Sequence, residues 1–198
     1  MPALAENILE KFDQWFAEAE HHPQIRENNA MNLATANREG YVTNRMVLLK
    51  EHDAQGFVFY TNLESRKGQH LLTNPRASLC FYWEPLSKQI RIEGQVQEVS
   101  AQEADAYFNS RPLKSRIGAW ASKQSRPLQS KQALLKEVAK QGARFVTQEV
   151  PRPPYWSGFR LIPDRLEFWK AGEYRIHDRI CFQWNEAQAR WDESLLYP

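Results

Sequence analysis

Thr43-Asn44-Arg45-Met46-Val47-Leu48-Leu49-Lys50, then Gly56-Phe57-Val58-Phe59-Tyr60-Thr61-Asn62, then Ser65-Arg66-Lys67, is the stretch around which the rest of the chain is organised. The first two runs are short, apolar and β-prone. Asp53 and Gly56 lie between them and make a tight reversal cheap, so the pair predicts two strands joined by a turn. Ser65 is a good N-cap for a helix through His70, Leu71 and Leu72. Arg66 and Lys67 then fall in its first turn, where cations oppose the helix dipole. A bound anion such as a phosphate, sitting between them and the free backbone N–H groups, would resolve that conflict. Solvated edge cations that discourage sheet-to-sheet aggregation are the competing reading. Arg45 and Lys50 raise a parity question, because an odd spacing points them to opposite faces of a regular strand. A bulge, contacts to different parts of one ligand, or the involvement of two subunits would each answer it.

Outward from this stretch the pattern stays β-rich. Arg76 to Trp83 is a β-prone run, and Lys88 to Val99 alternates, with Ile90, Ile92, Gly94 and Val96 opposite Gln89, Arg91, Glu93, Gln95 and Gln97. Ala30 to Thr35 predicts a strand turning at Asn37-Arg38-Glu39-Gly40. Leu4, Ile8, Phe12, Trp15 or Phe16, and Ala19 recur at helical spacing, a first helix within residues 1–22 ended by Pro23. Ser100 to Glu103 reads as a capping box opening a helix to about Ser110. Further helices are predicted near Ser115 to Ala121 and over Gln129 to Gln141. Residues 151–198 read as an extended Pro-rich link, strands Ser157 to Ile162 and Leu166 to Trp169 joined through Pro163-Asp164, a strand Tyr174 to Trp184, and a last one at Arg190 to Asp192. About eight hairpin-linked strands with a few helices favour a mainly β fold, an antiparallel barrel with peripheral helices, over a doubly wound sheet.

Composition bounds the partners. The chain has 198 residues, 42% hydrophobic and 25% charged, with a net charge of +2. That predicts one domain and gives no global basic bias toward nucleic acid or membrane. Seven Trp, seven Tyr and ten Phe suit a packed β-core and also a site for a flat ring. Cys80 and Cys181, without a C-x-x-C neighbour, read as buried thiols of a reducing compartment. His21 and His22 have no nearby partners to complete a metal set. With no signal-peptide core after Met1-Pro2-Ala3 and no apolar run of membrane-spanning length, a cytoplasmic protein is expected.

A second constellation lies at Arg175, His177 and Arg179, which strand periodicity would put on one face, with Trp169 just upstream. Cation-capable groups so close repel one another without an anion, although a solvated sheet face accounts for the same alternation.

Together these segments resemble the pyridoxine/pyridoxamine 5′-phosphate oxidase family. The matching motifs are Arg45-Met46-Val47-Leu48-Leu49-Lys50, Phe59-Tyr60-Thr61-Asn62 with Ser65-Arg66-Lys67, Tyr107-Phe108 with Ser110-Arg111-Pro112, Gly118-Ala119-Trp120 with Ser122-Lys123-Gln124-Ser125, Glu167-Phe168-Trp169, and Arg175-Ile176-His177-Asp178-Arg179. They run in order from about residue 28 to the C-terminus. The resemblance implies a split antiparallel β-barrel working as a homodimer with FMN at the subunit interface, residues 151–198 completing the site. It implies FMN contacts from Arg45, Met46, Val47, Leu48, Leu49, Lys50, Tyr60, Thr61, Arg66, Lys67, Gln89, Gln124, Ser125, Trp169 and Arg179. Substrate contacts are implied for Lys50, Tyr107, Arg111, Ser115, Arg175, Ile176 and His177, with Arg175 and His177 as the catalytic pair.

The implied reaction is hydride transfer from C4′ of pyridoxine or pyridoxamine 5′-phosphate to FMN, with O2 as terminal acceptor giving H2O2. Two phosphates near one another would explain so many cations. A non-catalytic flavin or pyridoxal-phosphate binder, and a flavin reductase lacking the substrate-phosphate residues, are the alternatives. Departures from the family pattern are Val42-Thr43, Lys88 before Gln89, Ser157, and Leu195-Leu196-Tyr197-Pro198 at the tail.

Overall fold

The computed structural model describes residues 3–198, so the expectation for Met1 and Pro2 lies outside the described residues. Helix α1 (Glu6–His21) buries Ile8, Phe12, Trp15 and Ala19, the stripe its spacing predicts. Strands β1 (Ala30–Ala36) and β2 (Val42–Leu48) form an antiparallel hairpin. The chain then breaks at Leu49-Lys50 and resumes as the short strand β3 (Glu51–Asp53), which pairs with β4 (Gly56–Asn62). Next come α2 (Arg66–Thr73), β5 (Arg76–Trp83), β6 (Lys88–Glu98), α3 (Ala101–Ser110), α4 (Leu113–Ala121) and α5 (Lys131–Arg144). Strands β7 (Trp156–Lys170), β8 (Asp178–Asn185) and β9 (Arg190–Leu195) complete the described chain.

The nine strands form one antiparallel sheet in the order β2-β1-β5-β6-β7-β4-β3, with β8 on β7 and β9 on β8. The path begins on β2 and ends on β3, which are consecutive in sequence, so the sheet curls back on itself into a half-open barrel. Strand β7 organises the split. One of its edges pairs with β6 over nearly its full length, while the other pairs with β4 at residues 156–161 and with β8 at residues 165–170. Phe57, Phe59, Phe81, Ile90, Ile92, Leu161 and Phe168 fill the barrel, and Phe12 of α1 plugs it edge-on to Phe57 and Phe81. Each fully buried side chain of this kind is worth about 1.5–3 kcal/mol.

Several expectations are corrected. Pro163-Asp164 is not a turn between two strands: β7 is continuous, and the register against β6 shifts there as a bulge. A bulge tolerates proline's missing N–H, and Gly94 opposite is required because a Cβ would strike the Ile162 carbonyl. The strand expected from Tyr174 starts only at Asp178. Tyr174 and Arg175 take left-handed backbone angles (φ 55° and 66°) in a short helical turn, Glu173–Arg175. Arg175, His177 and Arg179 therefore do not share a strand face. Residues 51–53 add a strand and the fusion across Pro163-Asp164 removes one, leaving nine among the described residues against about eight expected, and the last strand extends to Leu195. Only half of the capping box forms: Ser100 accepts from Glu103 N–H, but the Glu103 carboxylate reaches Arg160.

Candidate active site

The predicted residues gather at the two ends of β7. Trp156 and Trp169 mark those ends, about 40 Å apart along the strand.

At the Trp156 end lies a cleft of about 440 Å³. The break at Leu49-Lys50 answers the parity question, because Arg45 and Lys50 both line this cleft, with Met46, Val47 and Leu48. Leu49 does not: its side chain is in the core, its N–H bonds the Asn29 carbonyl, and its carbonyl accepts from Asn29 Nδ2. Arg45 is fixed by donating to Leu33 O (3.1 Å) and Thr35 Oγ1 (2.8 Å) and by a contact to Thr43 Oγ1. Ser65 caps α2 as its sequence predicts, accepting from Gly68 N–H at 3.3 Å. Lys67 Nζ reaches Thr61 Oγ1 (3.1 Å), Ser65 Oγ (3.2 Å) and Gln124 Oε1 (2.7 Å), all uncharged acceptors. Burial, and then the nearby Arg45 charge, pull its pKa down to about 8. Burial and Arg66 likewise lower that of Arg45. Arg66 itself is exposed and stacks over Tyr41 at 5.2 Å. Ser125, with φ 70°, lines an adjoining cleft against α5 that shares Gln124 and Ser122 with this one.

One wall of the cleft is aromatic. Tyr60 stacks on Tyr107 (4.0 Å between centroids) and on Trp156 (5.3 Å). Arg111 lies over Trp156 at 4.8 Å, Lys50 stands 6.0 Å from the Tyr107 ring, and Ser115 lines the same cleft. Two polar atoms here are buried without a partner, Tyr60 Oη and Arg111 Nη1. Burial lowers the Arg111 pKa and raises that of Tyr60, and in both it outweighs the opposing pull of the neighbouring groups, Tyr107 for Arg111 and Arg160 for Tyr60. Buried donors of this kind are normally satisfied. Mutually repelling cations and orphaned donors around an aromatic wall fit ligands that carry a ring and a phosphate. Trp156, Asn62 and Ser122 also line the cleft and were not anticipated. The only signal for Trp156 is its place as an aromatic at the head of a strand, which the fold pairs with Asn62.

At the Trp169 end, Gln89, Trp169 and Arg179 stand directly opposite one another on β6, β7 and β8, a row across three strands. The His177 ring packs 4.8 Å from Trp169. Its Nδ1 accepts from Gly172 N–H at 3.2 Å, so neutral His177 carries its proton on Nε2 and can only donate there. Gly172 is required because a Cβ would run into the Ile176 carbonyl. Arg175 and Ile176 project into solvent, Ile176 with 70% of its surface exposed. Arg179 is held by the buried Glu167. Lys88 before Gln89 pairs with Glu18 and lies over the Trp15 ring, tying α1 to this end. No cluster of three or more metal-ligating side chains occurs among the described residues. No described helix is long and apolar enough to cross a membrane.

A split barrel with a cationic, aromatic-walled cleft at one end of its longest strand and a half-buried Trp-His-Arg set beside an exposed turn at the other defines the class: a protein of the FMN-binding split-barrel type. The sequence profile described as pyridoxamine 5′-phosphate oxidase matches residues 17–144, and that of the pyridoxine 5′-phosphate oxidase C-terminal dimerisation region matches 156–198. The pyridoxine/pyridoxamine 5′-phosphate oxidase of Maricaulis maris is 56% identical over 187 residues, 94% of this chain and 84% of that one. That of Brucella canis is 50% identical over 187 residues, 94% of this chain and 92% of the relative. Among solved structures, PhzG from Burkholderia lata, in complex with tetrahydrophenazine-1-carboxylic acid, superposes with a TM-score of 0.89 at 32% identity, covering 96% of this chain and 92% of that one. The chain belongs to the pyridoxamine 5′-phosphate oxidase family and is an FMN-dependent oxidase.

Proposed function

We propose that the enzyme oxidises pyridoxine 5′-phosphate and pyridoxamine 5′-phosphate to pyridoxal 5′-phosphate in a homodimer whose two sites each combine one end of β7 from either copy. The observation that carries this reading is the separation of the two residue sets. A span of about 40 Å is too long for one mononucleotide to bridge, whereas a twofold axis would bring the Trp156 end of one copy to the Trp169 end of the other. The exposed Met46 and Leu48 on β2, and Tyr82 on β5, supply apolar surface for such a contact.

In this arrangement Arg66 and Lys67 hold the FMN phosphate at the start of α2. Arg45, Met46, Val47, Leu48, Lys50, Tyr60, Thr61, Gln124 and Ser125 line the cofactor, and Leu49 supports it from the core. Gln89, Trp169 and Arg179 close it from the second copy. Bound FMN supplies the two-electron acceptor for oxidation at C4′, and O2 carries the electrons on to H2O2. Lys50, Tyr107, Arg111 and Ser115 grip the substrate phosphate, the orphaned Arg111 Nη1 finding its acceptor there. Arg175 and Ile176 cover the pyridine ring and orient it. With Nδ1 accepting from Gly172 N–H, neutral His177 offers the substrate its Nε2 proton.

The second reading, a ring substrate without phosphate such as the one PhzG holds, leaves Lys50, Arg111 and Ser115 with less to bind. Anaerobic titration of the FMN-loaded protein with pyridoxine 5′-phosphate tests the choice. The oxidised flavin band should bleach and recover in air, and unphosphorylated pyridoxine at the same concentration should leave it unchanged. A band indifferent to the phosphorylated compound would overturn the reading.

A further inference from the structure

Glu167 is only 2% exposed, yet it does not face the barrel core. Its neighbours Leu166 and Phe168 point inward, and it points with Trp169 toward the opposite side of β7. Three arginines surround it at unequal distances. Arg179 Nε donates to Oε1 at 2.8 Å, and Arg179 Nη2 lies 2.7 Å from the same oxygen. Arg91 Nη1 stands 3.4 Å from Oε2 and Arg165 Nη2 3.8 Å. Arg91 has a closer partner in Glu93, at 2.7 Å. The strong, charge-assisted contact is therefore the one to Arg179. The other edge of the same guanidinium donates from Nη1 to the Tyr197 carbonyl at 2.7 Å, and Leu196 N–H donates to the Arg179 carbonyl at 3.0 Å. A main-chain carbonyl makes this contact, so the unusual side chains of the Leu195–Pro198 tail do not remove it.

We propose that Glu167 is a positioning residue of the cofactor site, its buried carboxylate and the Tyr197 carbonyl together locking the Arg179 guanidinium in one orientation. A guanidinium has five N–H donors. Those contacts claim three and leave two for the cofactor. Packing fixes the carboxylate on a central strand, so Arg179 gives up its rotamer freedom on folding and not on binding. Without that charge, Arg91 and Arg165 would push Arg179 away from its seat. The proposal rests on the reading that Arg179 faces FMN.

The test is FMN binding to the apo-protein, followed by quenching of flavin fluorescence, in a double-mutant cycle. Glu167→Gln, nearly isosteric, should weaken FMN affinity about tenfold, the loss of one charge-assisted contact. Arg179→Gln should weaken it at least as much. In the Arg179→Gln background, Glu167→Gln should add less than twofold. A full tenfold addition there would make Glu167 a general structural residue and overturn the proposal. An Arg179→Gln single variant with unchanged affinity would instead remove the cofactor-site reading, and the proposal with it. Should Glu167→Gln not fold, judged by the thermal midpoint without FMN, Glu167→Asp keeps the charge while withdrawing the oxygen and enters the same cycle.

Discussion

The two ends of β7 solve opposite problems. The Trp156 end is enclosed: helices and β4 wall it in, its cations are partly desolvated, and two of its polar atoms have no protein partner. The Trp169 end pairs a second cleft, about 570 Å³ and lined by Trp15, Lys88, His177 and Arg179, with an open turn: Tyr174 is 92% exposed, and the turn carrying Arg175 holds two non-glycine residues at positive φ. Backbone strain of this kind costs about 1–3 kcal/mol per residue and persists where surrounding structure imposes it. One end is built to accept anions and the other to present side chains outward. A receptor cleft at one end of a strand and an outward-facing turn at the other make sense when two copies exchange them.

Mixed dimers give the largest effect that can break this comparison. Arg111→Ala should abolish most activity by stripping the proposed substrate-phosphate site. Arg175→Ala should abolish turnover while FMN stays bound. Co-expressed and purified as heterodimers through two tags, the two inactive chains should regain about half of the wild-type activity per dimer. If sites are shared between copies, one site collects both lesions and the other collects none. Heterodimers as inactive as their parents would place each complete site within a single chain and end the exchange reading.

The two ends also differed in how far the sequence exposed them. Ser65, Arg66 and Lys67 were legible because an N-cap has a local chemistry, and the helix starts where that chemistry puts it. The alternation of Lys88–Glu98 likewise specified which side chains point inward. Arg175 was misplaced on a strand because left-handed geometry at Tyr174 and Arg175 carries no glycine or asparagine to announce it. Gly172 opens a turn that runs on to His177, set by a close approach visible only in three dimensions. Pro163 misled for the opposite reason: a strong local breaker was absorbed by a bulge. The arrangement of Arg45 with Lys50 depended on a two-residue interruption that apolar Leu49 concealed. Family resemblance, not pattern, supplied the grouping of both ends into one site.

A moderate effect sharpens the account of the enclosed end. Free of ligand, Lys67 titrates at about 8, lowered by burial and by Arg45. A bound phosphate favours its charged form, so binding raises that pKa. Below about pH 8 the lysine is already cationic and FMN binds at full strength. Above it a proton must be taken up with the ligand, and affinity falls by at most about tenfold per pH unit. The phosphate stays doubly charged across this range and contributes no slope of its own. FMN affinity measured from pH 7 to 9 should weaken in the native protein and stay flat in Lys67→Met. The same slope in both would assign the titration to another group.

The smallest effect concerns Tyr60, whose hydroxyl is buried at the enclosed end with no partner. An unsatisfied buried donor costs about 1–3 kcal/mol, while the ring keeps its stacking on Tyr107 and Trp156 if only the oxygen is removed. Tyr60→Phe should therefore raise the melting temperature of the apo-protein, by roughly 2–4 °C per kcal/mol for a chain of this size. Saturating FMN and substrate should shrink or reverse the gain, because the ligands give the native hydroxyl its partner. A variant less stable than the native protein without ligand would mean that the hydroxyl is already satisfied in solution. The enclosed end would then be preformed around water, and the contrast with the open end would rest on its cations alone.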